Sequence, residues 1–267
     1  MRSFKDGILS GKTAFVAGGS SGINLGIARG LAEAGARISL ISRSKEKVEA
    51  AVAELQAAGF KAMGVAADVR DYAAVEYALG VTRQTYGEID IVISGAAGNF
   101  LASAIGMSPN AFRAVVDIDL IGTYHVLRAS YEHLRKPGAS VISITAGQAV
   151  NPSVGQSHAC AAKAGVNMLT RCLALEWGAS GVRVNAISPG PIRDTEGMSR
   201  LTPTPESVAA FRRTIPLGDY GEKRDIADLA IYLSSDSASY ITGAIMDCDG
   251  GSSLFRGNIL SSLAPVT

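Results

Sequence analysis

A doubly wound parallel α/β sheet with helices on both faces is the fold class that the sequence predicts, and three observations predict it. Short apolar runs alternate with segments of helical spacing to the end of the chain. Of the 267 residues, 47% are hydrophobic and only 18% are charged, which suits central strands buried on both faces. The first apolar run enters a glycine-rich turn and then a helical pattern, the opening of a βαβ unit.

Seven runs read as strands in chain order: "TAFVAG", "ARISLIS", "KAMGVAADV", "IDIVISG", "SVISIT", "VRVNAISPG" and "GAIMDCDGG". Each is short, apolar and closed by turn residues, and the segments between them show helical spacing. Right-handed crossovers would line up the C-terminal ends of these strands and open a crevice there. No repeat, low-complexity tract or linker divides the chain, so a single Rossmann-type domain over 1–267 is expected. Residues 191–216 are the exception to short connections, and this excursion beside the crevice reads as a lid or as a surface loop.

Composition excludes several classes. A formal net charge of +1 points to neither nucleic acid nor an anionic membrane. Cys160, Cys172 and Cys248 are too few for a disulfide framework and have no metal-ligand spacing, so no metal is expected and a reducing cytoplasm fits. The charge-free run 91–112 carries too many Ser, Gly, Asn and Pro residues for a membrane span and reads as a strand and a loop. The opening "MRSFKDGILSGK" lacks the apolar core of a signal peptide, and the closing "LAPVT" is not a peroxisomal address.

In "TAFVAGGSSGINLGIARG", Gly18 and Gly22 are spaced so that backbone N–H groups and the helix N-terminus face a pyrophosphate. This turn resembles that of the short-chain dehydrogenases/reductases, which usually reads Gly-x-x-x-Gly-x-Gly. The likeness continues through "ADV" (67–69), "GAAGN" (95–99), Lys163, "RVNAISPGPI" (183–192) and "ITGAIMDCDGG" (241–251). The resemblance implies a nicotinamide dinucleotide held by Gly18, Ser20, Ser21, Gly22, Ile23 and Asn24, then by Ala96, Ala97 and Gly98. Asp68 and Val69 would flank the adenine, Pro189, Gly190, Ile192 and Thr195 would meet the nicotinamide end, and Lys163 would bind its ribose. Asn24 stands where the third glycine is usual; Asn tolerates unusual backbone angles, and its side chain would sit close to the cofactor. After the second strand, Ser42, Arg43 and Ser44 offer hydroxyls and a guanidinium suited to a 2′-phosphate, so NADPH/NADP is expected; otherwise Arg43 only solvates a loop.

Most members of that superfamily carry a Tyr four residues before the Lys, a Ser after the preceding strand and an Asn on a neighbouring helix. Here those positions are Ala159, Ala146 and Asp119. The segments "AAGNF", "DIDLIGT", "QSHACAAKAGVNMLTRCLALEWG" and "PGPIRDTEGMSRL" resemble the 2,4-dienoyl-CoA reductases, above all the peroxisomal type, which also lack the Tyr. Reduction of a conjugated thioester places charge on the thioester oxygen, so a phenol aimed at an alkoxide is not required. The resemblance implies Lys163 and Asp119 as the reacting pair, Asn99 as a donor to the thioester oxygen and Asp249 as a further acid. Asp119 reads equally as a structural acid, and Asp249 as the cap of a turn before Gly250 and Gly251.

Gln148, where the mitochondrial type has a Tyr, can donate a hydrogen bond but no proton. His158 is expected at a solvent or interface surface, and Cys160 as a small packing residue. Arg193, Arg200, Arg212 and Arg213 of the lid meet the phosphates of coenzyme A or simply solvate a helix. Three functions follow: reduction of an acyl-CoA-type substrate, carbonyl reduction with Tyr124 as the acid, and a non-catalytic NADP-binding scaffold. The resemblance also implies a homotetramer built on helices at 108–135 and 154–178.

Overall fold

The computed structural model describes residues 4–202 and 204–254. All seven expected runs form strands: β1 (Thr13–Ala17), β2 (Arg37–Ser42), β3 (Ala62–Ala66), β4 (Ile91–Ser94), β5 (Ser140–Ile144), β6 (Arg183–Pro189) and β7 (Ile245–Cys248). They pair in parallel as one sheet in the order β3-β2-β1-β4-β5-β6-β7. The chain therefore reverses its direction of progress between β1 and β4, and a doubly wound sheet opens its crevice at that switch point.

Alternation along the strands divides the core between the two faces. In β1, Ala14 and Val16 pack on one side and Phe15 and Ala17 on the other; in β5, Ile142 and Ile144 oppose Val141. The first face is covered by α1 (Gly22–Glu33), α2 (Lys45–Ala57) and α9 (Lys223–Ser234), the second by α3 (Tyr72–Tyr86), α5 (Gly122–Ser130) and α6 (Ser157–Trp177). Side-chain caps start several helices: Ser44 accepts from Lys47 N–H, Asp71 from Ala74 N–H, and Ser108 from Ala111 N–H at α4 (Pro109–Val116). Helices α1 and α9 approach closely because Gly30 has no side chain; a Cβ there would stand 2.7 Å from that of Ala227.

Two expectations change. The segment 108–135 is not one regular helix: α4 passes into a π-helical turn, Asp117–Ile121, before α5 begins. The excursion 191–216 folds into two short helices, α7 (Glu196–Leu201) and α8 (Pro205–Arg212), and a backbone bridge between Ile192 and Gly221 closes its base. Among the described residues no helix is long and apolar enough to cross a membrane, and no His, Cys, Asp and Glu cluster suits a metal. The side chain of Arg200 and the C-terminal "LAPVT" lie outside the described residues.

Candidate active site

The C-terminal strand ends open into a cleft of about 1320 Å³ that runs from the glycine turn to the lid. It exceeds the usual size of a small-ligand pocket and leaves room for a dinucleotide beside a second ligand. Gly18 holds φ +76 and Gly22 φ +58, and a Cβ on Gly18 would stand 2.8 Å from the Ala96 backbone. Side chains are thus kept away where a diphosphate must come close to the main chain. Helix α1 begins with no side-chain cap and no acid in its first turn, so its N–H groups remain available to an anion.

Asn24 is spent differently from expectation. It lines the cleft, yet its Nδ2 turns back to donate to the Gly95 carbonyl at 2.7 Å, and its amide fills the space that a side chain on Gly95 would need. The glycine turn is thereby tied to the exit of β4.

Ser20 Oγ donates to Ser42 Oγ at 2.8 Å at the end of β2, while Ser44 is taken by the α2 cap and by Glu46. Arg43 is exposed and lines the cleft there, joined by Lys47, which sequence reading missed. Asp68 is gripped by Arg70, with Nη2 to Oδ2 at 2.6 Å; this hydrogen bond, outweighing burial, holds its carboxyl below the ordinary range. The Val69 carbonyl accepts from His125 Nδ1 at 2.9 Å.

Lys163 and Asp119 come together, nearly closed to solvent. Lys163 Nζ lies 3.3 Å from Asp119 Oδ2, with Asp119 1% and Lys163 8% exposed. Asp119 Oδ1 accepts from Gly98 N–H at 2.7 Å, and Lys163 also donates to the Ile144 carbonyl at 3.1 Å. The π turn sets the carboxylate in place: Thr123 Oγ1 donates to the Asp119 carbonyl at 2.7 Å, and Leu120 packs where a Cβ on Gly165 of α6 would come within 2.7 Å. Ala146 and Ala159 line the same cleft as methyl groups.

Of the other expected residues, all but Gly98 line the cleft; Gly98 contributes its N–H to Asp119 instead. Asn99 is exposed at the mouth. Thr195 caps α7 and donates to the Ile192 carbonyl at 2.8 Å. Asp249 lines the cleft, but its oxygens accept from Gly251 N–H and Ser253 N–H, each at 2.8 Å, as the turn-capping alternative requires. Burial raises its pKa, yet the donors of Ser253, Gly251 and Ser252 prevail and hold the carboxyl below its ordinary range. Gly190 is required here, since a Cβ would run into the Asp249 backbone.

Three expectations are corrected. His158 is fully buried rather than at a surface, packed against Phe100 with ring centroids 4.4 Å apart and ring planes tilted by 37°. Burial pushes its imidazole below the ordinary value, against the raising effect of the Asp119 carboxylate. Tyr124 is 44% exposed and does not line the cleft, which removes it as an acid for carbonyl reduction. Arg193 and Arg212 converge on Asp219 at 3.1 and 2.7 Å, so both are engaged at the base of the lid. Gln156, which sequence reading did not single out, lines the cleft and is 6% exposed.

Fold and site together define a dinucleotide-dependent oxidoreductase, and comparison with known proteins agrees. A family model described as Enoyl-(Acyl carrier protein) reductase matches residues 17–253, and the chain belongs to the short-chain dehydrogenase/reductase family. It is 42% identical over 258 residues to a peroxisomal 2,4-dienoyl-CoA reductase of Arabidopsis thaliana, covering 93% of this chain and 86% of that protein. The rat peroxisomal 2,4-dienoyl-CoA reductase is 42% identical over 248 residues, covering 92% and 85%. Among solved structures, a gluconate 5-dehydrogenase from Burkholderia cenocepacia in complex with NADP and tartrate superposes with a TM-score of 0.87 at 28% identity, covering 93% and 98%.

Proposed function

We propose that this chain uses NADPH to reduce the conjugated diene of a 2,4-dienoyl-CoA. The observation that carries the reading is the buried Lys163–Asp119 pair in a cleft where Ala146 and Ala159 replace the usual hydroxyls. Such a site offers charge and hydrogen bonds but no phenol, which suits an acceptor whose charge moves to a thioester oxygen. The relatives named as dienoyl-CoA reductases support it.

The cleft fits the dinucleotide on this chain's own features: the side-chain-free approach at Gly18, the uncapped start of α1, and Arg43 with Lys47 at the adenosine end. When bound, the nicotinamide ring supplies the hydride. Lys163 would hold the nicotinamide ribose and supply a positive charge beside it. Asp119, fixed by Gly98 N–H and Lys163, directs a proton through water to the carbon next to the thioester. Asn99 offers an amide donor at the mouth, and Leu101, Ile118, Met198 and Phe211 give the acyl chain an apolar wall.

The three cysteines are free, in keeping with a reducing cytoplasm. A homotetramer would cover the exposed Phe112, Ile121, Tyr124, Met168 and Leu175 of α4, the π turn, α5 and α6. The test is NADPH consumption with a 2,4-dienoyl-CoA, an enoyl-CoA and a simple ketone. Turnover confined to the dienoyl thioester is expected; turnover of the ketone alone overturns the reading, and tight NADPH binding with no turnover supports the scaffold.

A further inference from the structure

The two methyl groups that stand in for hydroxyls do not leave the reacting end of the cleft without donors. Gln148, on a short 3₁₀ turn at Gly147–Ala149 after β5, and Gln156, just before the first residue of α6, both line it. Gln148 Nε2 donates to Gln156 Oε1 at 3.2 Å. That bond occupies the carbonyl end of the Gln156 amide and leaves its NH2 end as the remaining donor. The backbone of Gln156 is fixed as well: its N–H donates to the Ser153 carbonyl at 3.2 Å, and its carbonyl accepts from Cys160 N–H at 2.8 Å.

Gln156, Ala159 and Lys163 follow the spacing i, i+3 and i+7 and so share one helical face. Seven residues of helix rise ~10 Å, so the two polar ends of the face are separated by a length of cleft lined by Ala159. Ala159 between them contributes only a methyl group. One end of the face carries the Lys163–Asp119 pair, and the other carries a buried amide with its orientation set by a neighbour.

We propose that Gln156 is a catalytic residue that donates through Nε2 to the thioester carbonyl oxygen of the bound acyl substrate, and that Gln148 is the positioning residue that orients it. Hydrogen-bond donors stabilise a developing oxyanion most where water is excluded and no reorientation is needed. Gln156 meets both conditions, whereas Asn99 is exposed at the mouth. No bond to Gln156 is made or broken; charge that collects on the oxygen during reduction is met by a fixed N–H.

The inference rests on the dienoyl-CoA reading, and the experiment separates the two. Gln156→Met keeps the length of the side chain and removes the donor; Gln156→Glu keeps the shape and puts an acceptor in its place. Each is expected to lower kcat on a 2,4-dienoyl-CoA by about a hundredfold, with NADPH affinity unchanged. The second readout is the thioester carbonyl stretch of the dienoyl-CoA bound together with NADP⁺, where no reduction occurs. It is expected at lower frequency than in solution for the native chain, close to the solution value in the Gln156 variants, and in between for Gln148→Leu. Native turnover with a folded Gln156 variant that retains full kcat and the native carbonyl frequency overturns the inference alone. A native chain that neither binds nor reduces dienoyl-CoA overturns the proposed function and the inference with it.

Discussion

Lys163 Nζ and Asp119 Oδ2 stand 3.3 Å apart at the inner end of the cleft, both almost wholly removed from solvent. A charge pair in such a place is stable only while both members are present, because either ion left alone is buried without compensation. The pair comes from two helices that cross where α6 has Gly165 and the π turn has Leu120, so its geometry is set by packing as well as by charge.

Asp119→Asn retains an oxygen for Gly98 N–H and removes the negative charge facing Lys163. Turnover is expected to fall by roughly 10²–10⁴ with NADPH binding preserved, as loss of a proton-handling group predicts. Lys163→Ala is expected to lower kcat and also to raise the KM for NADPH. Asp119→Ala is expected to destabilise by about 3–5 kcal/mol in urea unfolding. Full activity in both Asp119→Asn and Lys163→Ala contradicts the site.

Beyond β2, Arg43 and Lys47 line the cleft on exposed side chains, where the proposed NADPH would place its 2′-phosphate, while Asp68 is neutralised by Arg70. Charged hydrogen bonds contribute about 1.5–3 kcal/mol, and solvent screening reduces this at an exposed site. Arg43→Ala and Lys47→Ala are each expected to reduce the ratio of kcat/KM for NADPH to that for NADH by about tenfold. The measurement is repeated at raised salt, where the native preference should shrink. An unchanged ratio in both variants assigns the preference elsewhere.

The sheet was legible because parallel strands buried on both faces must be short apolar runs, and all seven runs became neighbours in one sheet. The π turn was not, since Asp117–Ile121 has the same apolar spacing whether it closes four-residue or five-residue hydrogen bonds. Asn24 was read toward the cofactor, but its orientation depends on Gly95, 71 residues away. His158 adjoins Ala159 and points off the Lys163 face, which predicts a surface position, but the Phe100 loop covers it. Lys47 and Gln156 belong to no motif, and only the folded cleft brings them to the ligand edge.

His158 makes stability depend on pH. Its folded-state pKa is lowered, chiefly by burial, while the unfolded imidazole titrates near 6.5. The unfolded chain therefore binds the proton more readily. The contribution to stability is complete above the unfolded pKa and is lost progressively as pH falls from about 6.5 toward the lowered folded value. Urea midpoints between neutral pH and pH about 5 should fall more steeply for the native chain than for His158→Phe, a replacement that keeps an aromatic ring against Phe100. Parallel curves for the two proteins would show that His158 does not titrate differently on unfolding.

Asn24 and Gly95 form a complementary pair whose coupling can be measured. The Asn24 amide occupies the volume above Gly95 and donates to its carbonyl at 2.7 Å, so neither position can change independently. Gly95→Ala forces a methyl group into that amide and is expected to cost about 1–3 kcal/mol, as overpacking does. Asn24→Gly removes the hydrogen bond and opens the space; it should loosen the glycine turn, lower stability by about 1 kcal/mol and raise the KM for NADPH. The double variant places the methyl group in the vacated space. Its cost is therefore expected to be less than the sum of the two by at least about 0.5 kcal/mol in a double-mutant cycle from urea unfolding. Additive costs would mean that the contact between the glycine turn and the exit of β4 does not hold the two together, and the stiffness of the cofactor seat would have to come from Gly18 against Ala96 instead.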